Sequence, residues 1–314
     1  EQQLALLKTR GLIVTDHQTA LNYLSRVGYY HLSAYWYSLR QHSPDQSAPR
    51  LDTFIQDASF QHVAELYVFD KKLRLLILDA IERIEVALRV DIAYLLGEKD
   101  AFAHTRSDLL HGNFTKKIDP KTGKSRHQSW LTKHDELVKR SKEDFVRHYR
   151  VKYGFPLPIW VSVELWDFGL LSTFYQGMTI ADKSTISNKY GISDCALMES
   201  WLRMLNFVRN VSAHHSRLWN KNLIDQPKMP KSSEMPAFDP LLNQAHVTSR
   251  IYVALCILIH FLAHLCPHSS WSTRLHELIL SFPDIPNIGI QHMGFPANWE
   301  QHAFWQTQPK TTQS

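Results

Sequence analysis

The sequence predicts an all-α protein, and three observations carry that expectation. Over residues 60–96, Val63, Leu66, Phe69, Leu73, Leu76, Ala80, Ile84, Ala87 and Ile92 recur with no proline or glycine among them. Their spacing stays near the roughly 3.5-residue repeat of an apolar helical stripe. A second run, residues 251–266, is almost continuously apolar. Finally, the chain holds only 11 glycines in 314 residues, few for an all-β or phosphate-loop architecture. With 44% hydrophobic and 21% charged residues it has the composition of a folded protein able to bury a substantial core.

Taken in order, Asp16 is placed to cap a helix running through Val27 and ended by Gly28, and a second helix is expected over residues 31–40. The pair has the outline of a helix-turn-helix. Its aromatic crowding at Tyr29, Tyr30, Tyr35, Trp36 and Tyr37 instead favours packing against the main body. Residues 41–50, with Pro44 and Pro49, read as a linker or loop. The helix over 60–96 would extend roughly 55 Å at 1.5 Å per residue, a length suited to a bundle spine or a dimer seam. Residues 97–152 are less periodic and broken by the turn Asp119-Pro-Lys-Thr-Gly123, so an exposed basic insertion is expected, with some helix after Trp130. Pro156 and Pro158 introduce an apolar helix over 160–175, and Ser193 or Asp194 caps a further helix extending to about Trp219. Residues 227–240 are proline-rich loop. The run at 251–266 falls short of the roughly 20 residues a bilayer demands and contains His260 and His264, so it is read as a buried helix rather than a membrane span. The aromatic tail with MGFPANW at 293–299 should pack on the bundle. The expected division is an N-terminal helical region, 1–58, packed on a helical body, 59–314. That body carries the insertion at 97–152, the motif helix at 194–219 and a C-terminal helix and tail at 241–314.

Charge is unevenly placed. The net formal charge is +5, yet residues 113–152 hold twelve Lys/Arg against five Asp/Glu. That concentration points to a polyanionic partner, although a solvated insertion would look similar. Three cysteines, Cys195, Cys256 and Cys266, without CxxC spacing favour a reducing cytoplasm over a disulfide scaffold. Residue 1 is glutamate, and the residues given show no signal-peptide pattern.

The chemistry concentrates in residues 209–220, RNVSAHHSRLWN. Imidazoles move protons near neutral pH and guanidinium groups hold phosphates. At about 100° per residue, Leu197, Trp201, Met204, Val208, Val211 and His215 form one largely apolar stripe, while Asn206, Arg217, Asn210, Arg203 and His214 fall in a second, acid-free stripe about 80° wide. This projection leaves His215 evenly poised between a buried structural group and a site residue. It also sets Arg209 about 140° from His214. The two could meet if the arginine stem wraps round, if the helix distorts, or across a subunit interface; wrapping within a dimeric cleft is the expectation. Spacing alone is weak, since R-x4-H recurs at Arg26/His31 and Arg106/His111, and R-x6-H at Arg10/His17.

The string RNVSAHHSRLWN resembles the signature of the Abi-like abortive-infection family, AbiD/AbiF type, within the HEPN ribonuclease superfamily. GYYHLSAYWYSLR (28–40), LDAIERIEVALR (78–89), WVSVELWDFGLLS (160–172) and MGFPANW resemble the same family in the same order. The resemblance implies a HEPN-type helical bundle, commonly dimeric, with an R-x4-6-H motif as a metal-independent ribonuclease centre. On it Arg209 and His214 match the motif arginine and histidine, Asn210 the polar residue after the arginine, and His215 the position after the histidine. It further implies a bacterial defence toxin, restrained in some members by a structured RNA; a protein antitoxin is the other candidate partner. The expected reaction is attack of the RNA 2′-OH on the adjacent phosphorus. His214 would move protons, Arg209 stabilise phosphate charge and Asn210 orient the scissile group, with no cofactor or metal. Arg203, Asn206, His215 and Arg217 are the expected RNA-binding residues, with Glu82 and Glu85 as structural partners for arginines.

Other chemistries are weaker. His260 and His264 have metal-pair spacing but lack an evident third ligand and are read as core histidines. Gly123-Lys-Ser125 lacks the first glycine of a phosphate loop, where Ile118 stands, and His276-Glu277 lacks a second histidine at Leu280. The rival functions are a non-catalytic RNA- or protein-binding regulator using the same basic face, and a DNA-binding regulator using residues 16–40.

Overall fold

The computed structural model describes residues 1–44 and 49–306. Its α-helices are α1 (Gln2–Thr9), α2 (His17–Arg26), α3 (Tyr29–Trp36), α4 (Phe60–Gly97), α5 (Gly112–Thr115), α6 (Arg126–Arg140), α7 (Asp144–Tyr153), α8 (Ile159–Ser162), α9 (Phe168–Gly177), α10 (Ile180–Lys189), α11 (Cys195–Ala213), α12 (Asp239–Leu242), α13 (Ile251–Leu265), α14 (Trp271–Leu280) and α15 (Ala303–Gln306). Among the described residues the one sheet is a small antiparallel pair, β1 (Arg40–His42) and β2 (Arg50–Phe54). The fold is therefore all-α, as the periodicity requires.

α4 is the spine. Ser59 caps it in a reciprocal box with His62, each side chain accepting a hydrogen bond from the other residue's backbone N–H. Over 38 residues its buried face includes Val63, Leu66, Leu73, Ile77, Ile84, Leu88 and Ile92. α3, α9, α11, α13 and α14 all pack against it. α13 is buried along most of its length, and no helix among the described residues is long and apolar enough to cross a membrane. His260 is half-buried against this core, with Nε2 hydrogen-bonded to the Tyr190 carbonyl at 2.8 Å, whereas His264, also expected in the core, is exposed near the end of α13 with Nδ1 at 2.9 Å from the His260 carbonyl. The tail closes over the same layer through buried Met293, Phe295 and Trp299.

The N-terminal helices follow their caps. Asp16 accepts from the Thr19 N–H at 2.9 Å, and Gly28, at φ +92°, makes the left-handed corner that lets α2 and α3 fold together. Tyr35 and Trp36 are fully buried. Part of the expected linker over 41–50 is the β1–β2 hairpin; its residues 45–48 lie outside the described residues.

Two expectations need correction. The apolar helix over 160–175 is broken: α8 gives way to a short 3-10 turn, Trp166 is extended, and Asp167 starts α9 by accepting from the Leu170 N–H at 2.7 Å. An aspartate that can satisfy a free helix-start amide there outweighs continued periodicity. The segment 97–152 is also more than an exposed insertion. α6 is capped by Ser125 and drives Trp130 into the bundle, with its indole N–H on the Leu170 carbonyl at 2.9 Å. Burying an indole of about 200 Å² contributes about 5 kcal/mol at 25 cal/mol per Å². The excursion leaves and rejoins the body at one place, where the Ile159 N–H meets the Ala101 carbonyl at 2.7 Å.

Beneath α6, His104, His127 and His134 are buried around Trp130 and Trp166. Burial pushes His104 down to about 3, and lowers His127 and His134 in the same direction. The unfolded chain takes up these protons below about 6.5, whereas folded His104 stays neutral until about 3. Stability should therefore fall as pH drops through that window. For His104 alone, lowering the pH from 7 to 5 should cost about 2 kcal/mol. In urea titrations at both pH values, His104→Leu should shrink the acid-induced loss by that amount; an unchanged loss contradicts the assignment.

Candidate active site

α11 begins on Asp194, whose carboxylate accepts from the Ala196 N–H at 2.8 Å, and buries Leu197, Trp201, Met204, Leu205 and Val208. It ends at Ala213, well short of Trp219. His214 is its cap, His215 stands at φ +57°, and the two crossed bonds of a Schellman close follow: His215 N–H to the Ser212 carbonyl at 3.1 Å and Ser216 N–H to the Val211 carbonyl at 3.0 Å. Neither glycine nor proline marks the stop, which is why periodicity ran past it.

The stop is enforced from below. The Asp70 carboxylate, fully buried on α4, accepts from the backbone N–H of Trp219 at 2.7 Å, from that of Leu218 at 3.1 Å, and from the Tyr35 hydroxyl at 2.8 Å. Arg74, one turn along α4, forms an ion pair with it and also reaches the Ser216 carbonyl at 3.3 Å. Burial pushes the Asp70 carboxyl up, and Arg74, Tyr35 and the two amides oppose that push. Both oxygens accept from N–H donors, which fits the ionised form. A helix continued through residue 219 would take those amides away from Asp70.

This ending rearranges the motif. The angular projection holds only to Ala213, so the second stripe is not one face. His215, read in part as a core group, is exposed at a left-handed position and lies within electrostatic reach of half-buried His31. Arg217 leaves the stripe altogether: Nη1 donates to the Ala34 carbonyl at 2.6 Å and braces the loop against α3, and burial lowers its pKa. Arg203 is exposed on α11. His214 is exposed at the cap, with no hydrogen bond from its imidazole to the described residues.

Asn206, Arg209 and Asn210 do come together. They line a cleft of about 630 Å³ whose other wall is the basic segment, through Lys124, Arg126, Lys133 and Arg140. With Arg209 the cleft holds five cations against three carboxylates, Asp119, Glu136 and Asp167. Arg209 is half-buried, and among the described residues its one side-chain hydrogen bond goes to the Asn210 side-chain oxygen at 3.3 Å, which leaves most of its guanidinium donors uncommitted there. Glu85 sits behind it. Burial raises that carboxyl, Arg89 and Arg209 hold it down, and its ion pair is with Arg89. α9 comes close to α11 at Gly169: a Cβ there would lie 3.3 Å from the Asn206 side-chain oxygen, which would have to shift by a few tenths of an ångström. His214 does not line this cleft. Among the described residues no group of histidine, cysteine or carboxylate side chains is arranged to hold a metal ion.

Sequence reasoning missed Lys124, Arg126, Lys133 and Arg140 as site residues, although the charge excess over 113–152 signalled them. Asp70 gave no signal: with Arg74 four residues on, it reads in sequence as an ordinary surface ion pair along a helix, and only the fold buries both.

The model of the Abi-like protein family matches residues 22–220, more than half of the chain and all of the elements just described around the cleft. The chain belongs to that family, whose membership suggests a part in abortive-infection defence. No curated protein and no solved structure matches it.

Two measurements check this account of the loop. Asp70→Ala strands the Arg74 guanidinium in the core and should cost about 3–5 kcal/mol in urea unfolding, with faster hydrogen exchange at Leu218 and Trp219. His215→Gly, by contrast, relieves a left-handed side chain and should leave stability unchanged or raise it by about 1 kcal/mol, read as a melting temperature that does not fall.

Proposed function

We propose that this Abi-like protein is a HEPN-type, metal-independent endoribonuclease, a toxin of bacterial abortive-infection or toxin–antitoxin defence. The observation that carries the reading is the cleft: Arg209 and Asn210 of the motif face a wall of Lys124, Arg126, Lys133 and Arg140, a channel suited to a phosphate backbone. In it Arg209 stabilises charge on the non-bridging oxygens of the scissile phosphate, and Asn210, hydrogen-bonded to Arg209, orients it. The RNA 2′-OH attacks phosphorus, the bond to the 5′-oxygen breaks, and His214 moves the proton. The products are a 2′,3′-cyclic phosphate and a free 5′-hydroxyl.

His214 is exposed and is not among the residues lining the cleft, so in this reading the site is completed by a second copy of the chain. Val86, Val90 and Tyr94 support that homodimer: they are exposed at four-residue intervals on α4, beside the hollow where Arg209 meets Glu82 and Glu85. Asn206 lines the cleft and Arg203 lies exposed on the same helix, both available to flanking phosphates. A structured RNA or a protein antitoxin would restrain the toxin by covering the cleft.

The test is cleavage of total RNA or tRNA in EDTA. The native protein should leave 2′,3′-cyclic phosphate ends and spare DNA, and His214→Ala should cut more slowly by about 10² to 10⁴. Intact RNA despite tight binding would mark a non-catalytic RNA-binding regulator. An unchanged rate in His214→Ala would remove that residue from the chemistry.

A further inference from the structure

A second hollow, of about 480 Å³, lies between α3 and residues 216–221, the stretch of chain that follows the motif histidines. Tyr30 and Tyr37 line it from α3 and the turn that follows, two helical turns apart and so on one face. Arg217 and Lys221 line it from the loop, and none of its lining residues is a carboxylate.

Tyr30 is the informative residue. Its side chain is 88% exposed, far more than a tyrosine kept for packing. It is nonetheless held: its ring meets Tyr29 edge-on at 5.7 Å, and Tyr29 in turn packs on the buried Trp36 at 4.9 Å. A ring this exposed, resting on a single neighbouring ring, leaves a face bare for stacking. Tyr37 is also exposed, at 42%. Meanwhile Arg217 is fixed by its bond to the Ala34 carbonyl, so a guanidinium stands at a set place beside the rings.

The hollow is close to the proposed chemistry. Arg217 is three residues beyond His214, so their Cα atoms can be no more than about 11 Å apart. A strand that passes His214 therefore has a neighbouring nucleotide within reach of the Arg217 side of the hollow. We propose that this hollow is a nucleobase subsite, in which Tyr30 stacks an unpaired base of single-stranded RNA while Arg217 and Lys221 hold the adjoining phosphate. The inference rests on the ribonuclease reading for its ligand, and it gives the N-terminal helices a part in substrate selection. A duplex keeps its bases stacked on each other and offers Tyr30 no free face.

Binding, not cleavage, tests it. With catalysis disabled by His214→Ala, the affinity for an end-labelled unstructured RNA oligonucleotide is measured by fluorescence anisotropy, with and without Tyr30→Ala or Tyr30→Phe. Stacking of one base predicts that Tyr30→Ala weakens binding about 5- to 100-fold, while Tyr30→Phe retains it. The same RNA annealed to its complement should not distinguish the variants. A loss smaller than about fivefold in Tyr30→Ala, the bottom of the range for one stacked base, overturns the subsite. So do an equal loss in Tyr30→Phe, an equal loss on duplex, and a parent protein that does not bind single strands. Tyr30 is exposed, so its replacement leaves the core intact. If the native protein binds in this pattern yet never cleaves, the ribonuclease reading fails and the subsite stands; if it cleaves and Tyr30→Ala binds normally, the subsite alone fails.

Discussion

A single buried carboxylate organises the loop that follows α11. Asp70 takes two backbone amides from beyond the end of α11, a hydroxyl from α3 and a guanidinium from its own helix. Three elements distant in sequence are thereby tied to one point on the spine. Isolated in the core, such a charge would cost several kcal/mol, and it is tolerable only because each lone pair finds a donor. The geometry of the motif loop follows from that requirement. The helix must stop for Leu218 and Trp219 to reach Asp70, and the stop puts His214 at the surface and His215 in a left-handed turn.

The basic cleft has a second origin. Its floor belongs to α9 and α11, while most of its cations come from a segment entering the chain far earlier. Trp130 joins the two by inserting its ring under α6 and its N–H onto the Leu170 carbonyl. Cations that would otherwise be a solvated charge run are thus held opposite Arg209. Packing, more than charge pairing, makes the cleft.

The sequence made some of this legible and hid the rest for physical reasons. α4, α11 and α13 announce themselves because each buries a regular stripe along many turns, and caps at Asp16 and Asp194 were readable because side-chain oxygens of that kind satisfy free helix-start amides. The break at Trp166 and the end of α11 were not readable. Both are decided by partners remote in sequence, Asp70 above all, while the local residues would support helix. The site divides the same way. Asn206, Arg209 and Asn210 lie within one helix and line one cleft, although the angular projection had set Arg209 apart from the two asparagines, and Arg217 was misplaced once its projection depended on residues beyond Ala213. The excess of lysine and arginine over 113–152 was visible as composition, but its position facing the motif is a tertiary fact. Abi-like membership rests on the match over 22–220.

The excursion that supplies the cationic wall departs and returns at adjoining points, joined by the Ala101–Ile159 hydrogen bond. A length of chain whose two ends already touch can grow, shrink or be swapped at small entropic cost, since closing a longer loop adds only logarithmically to the penalty. Relatives could therefore diversify the groove wall while leaving the Arg209 helix and its Asp70 anchor untouched. Wall and anchor would then evolve as separable parts of one polypeptide.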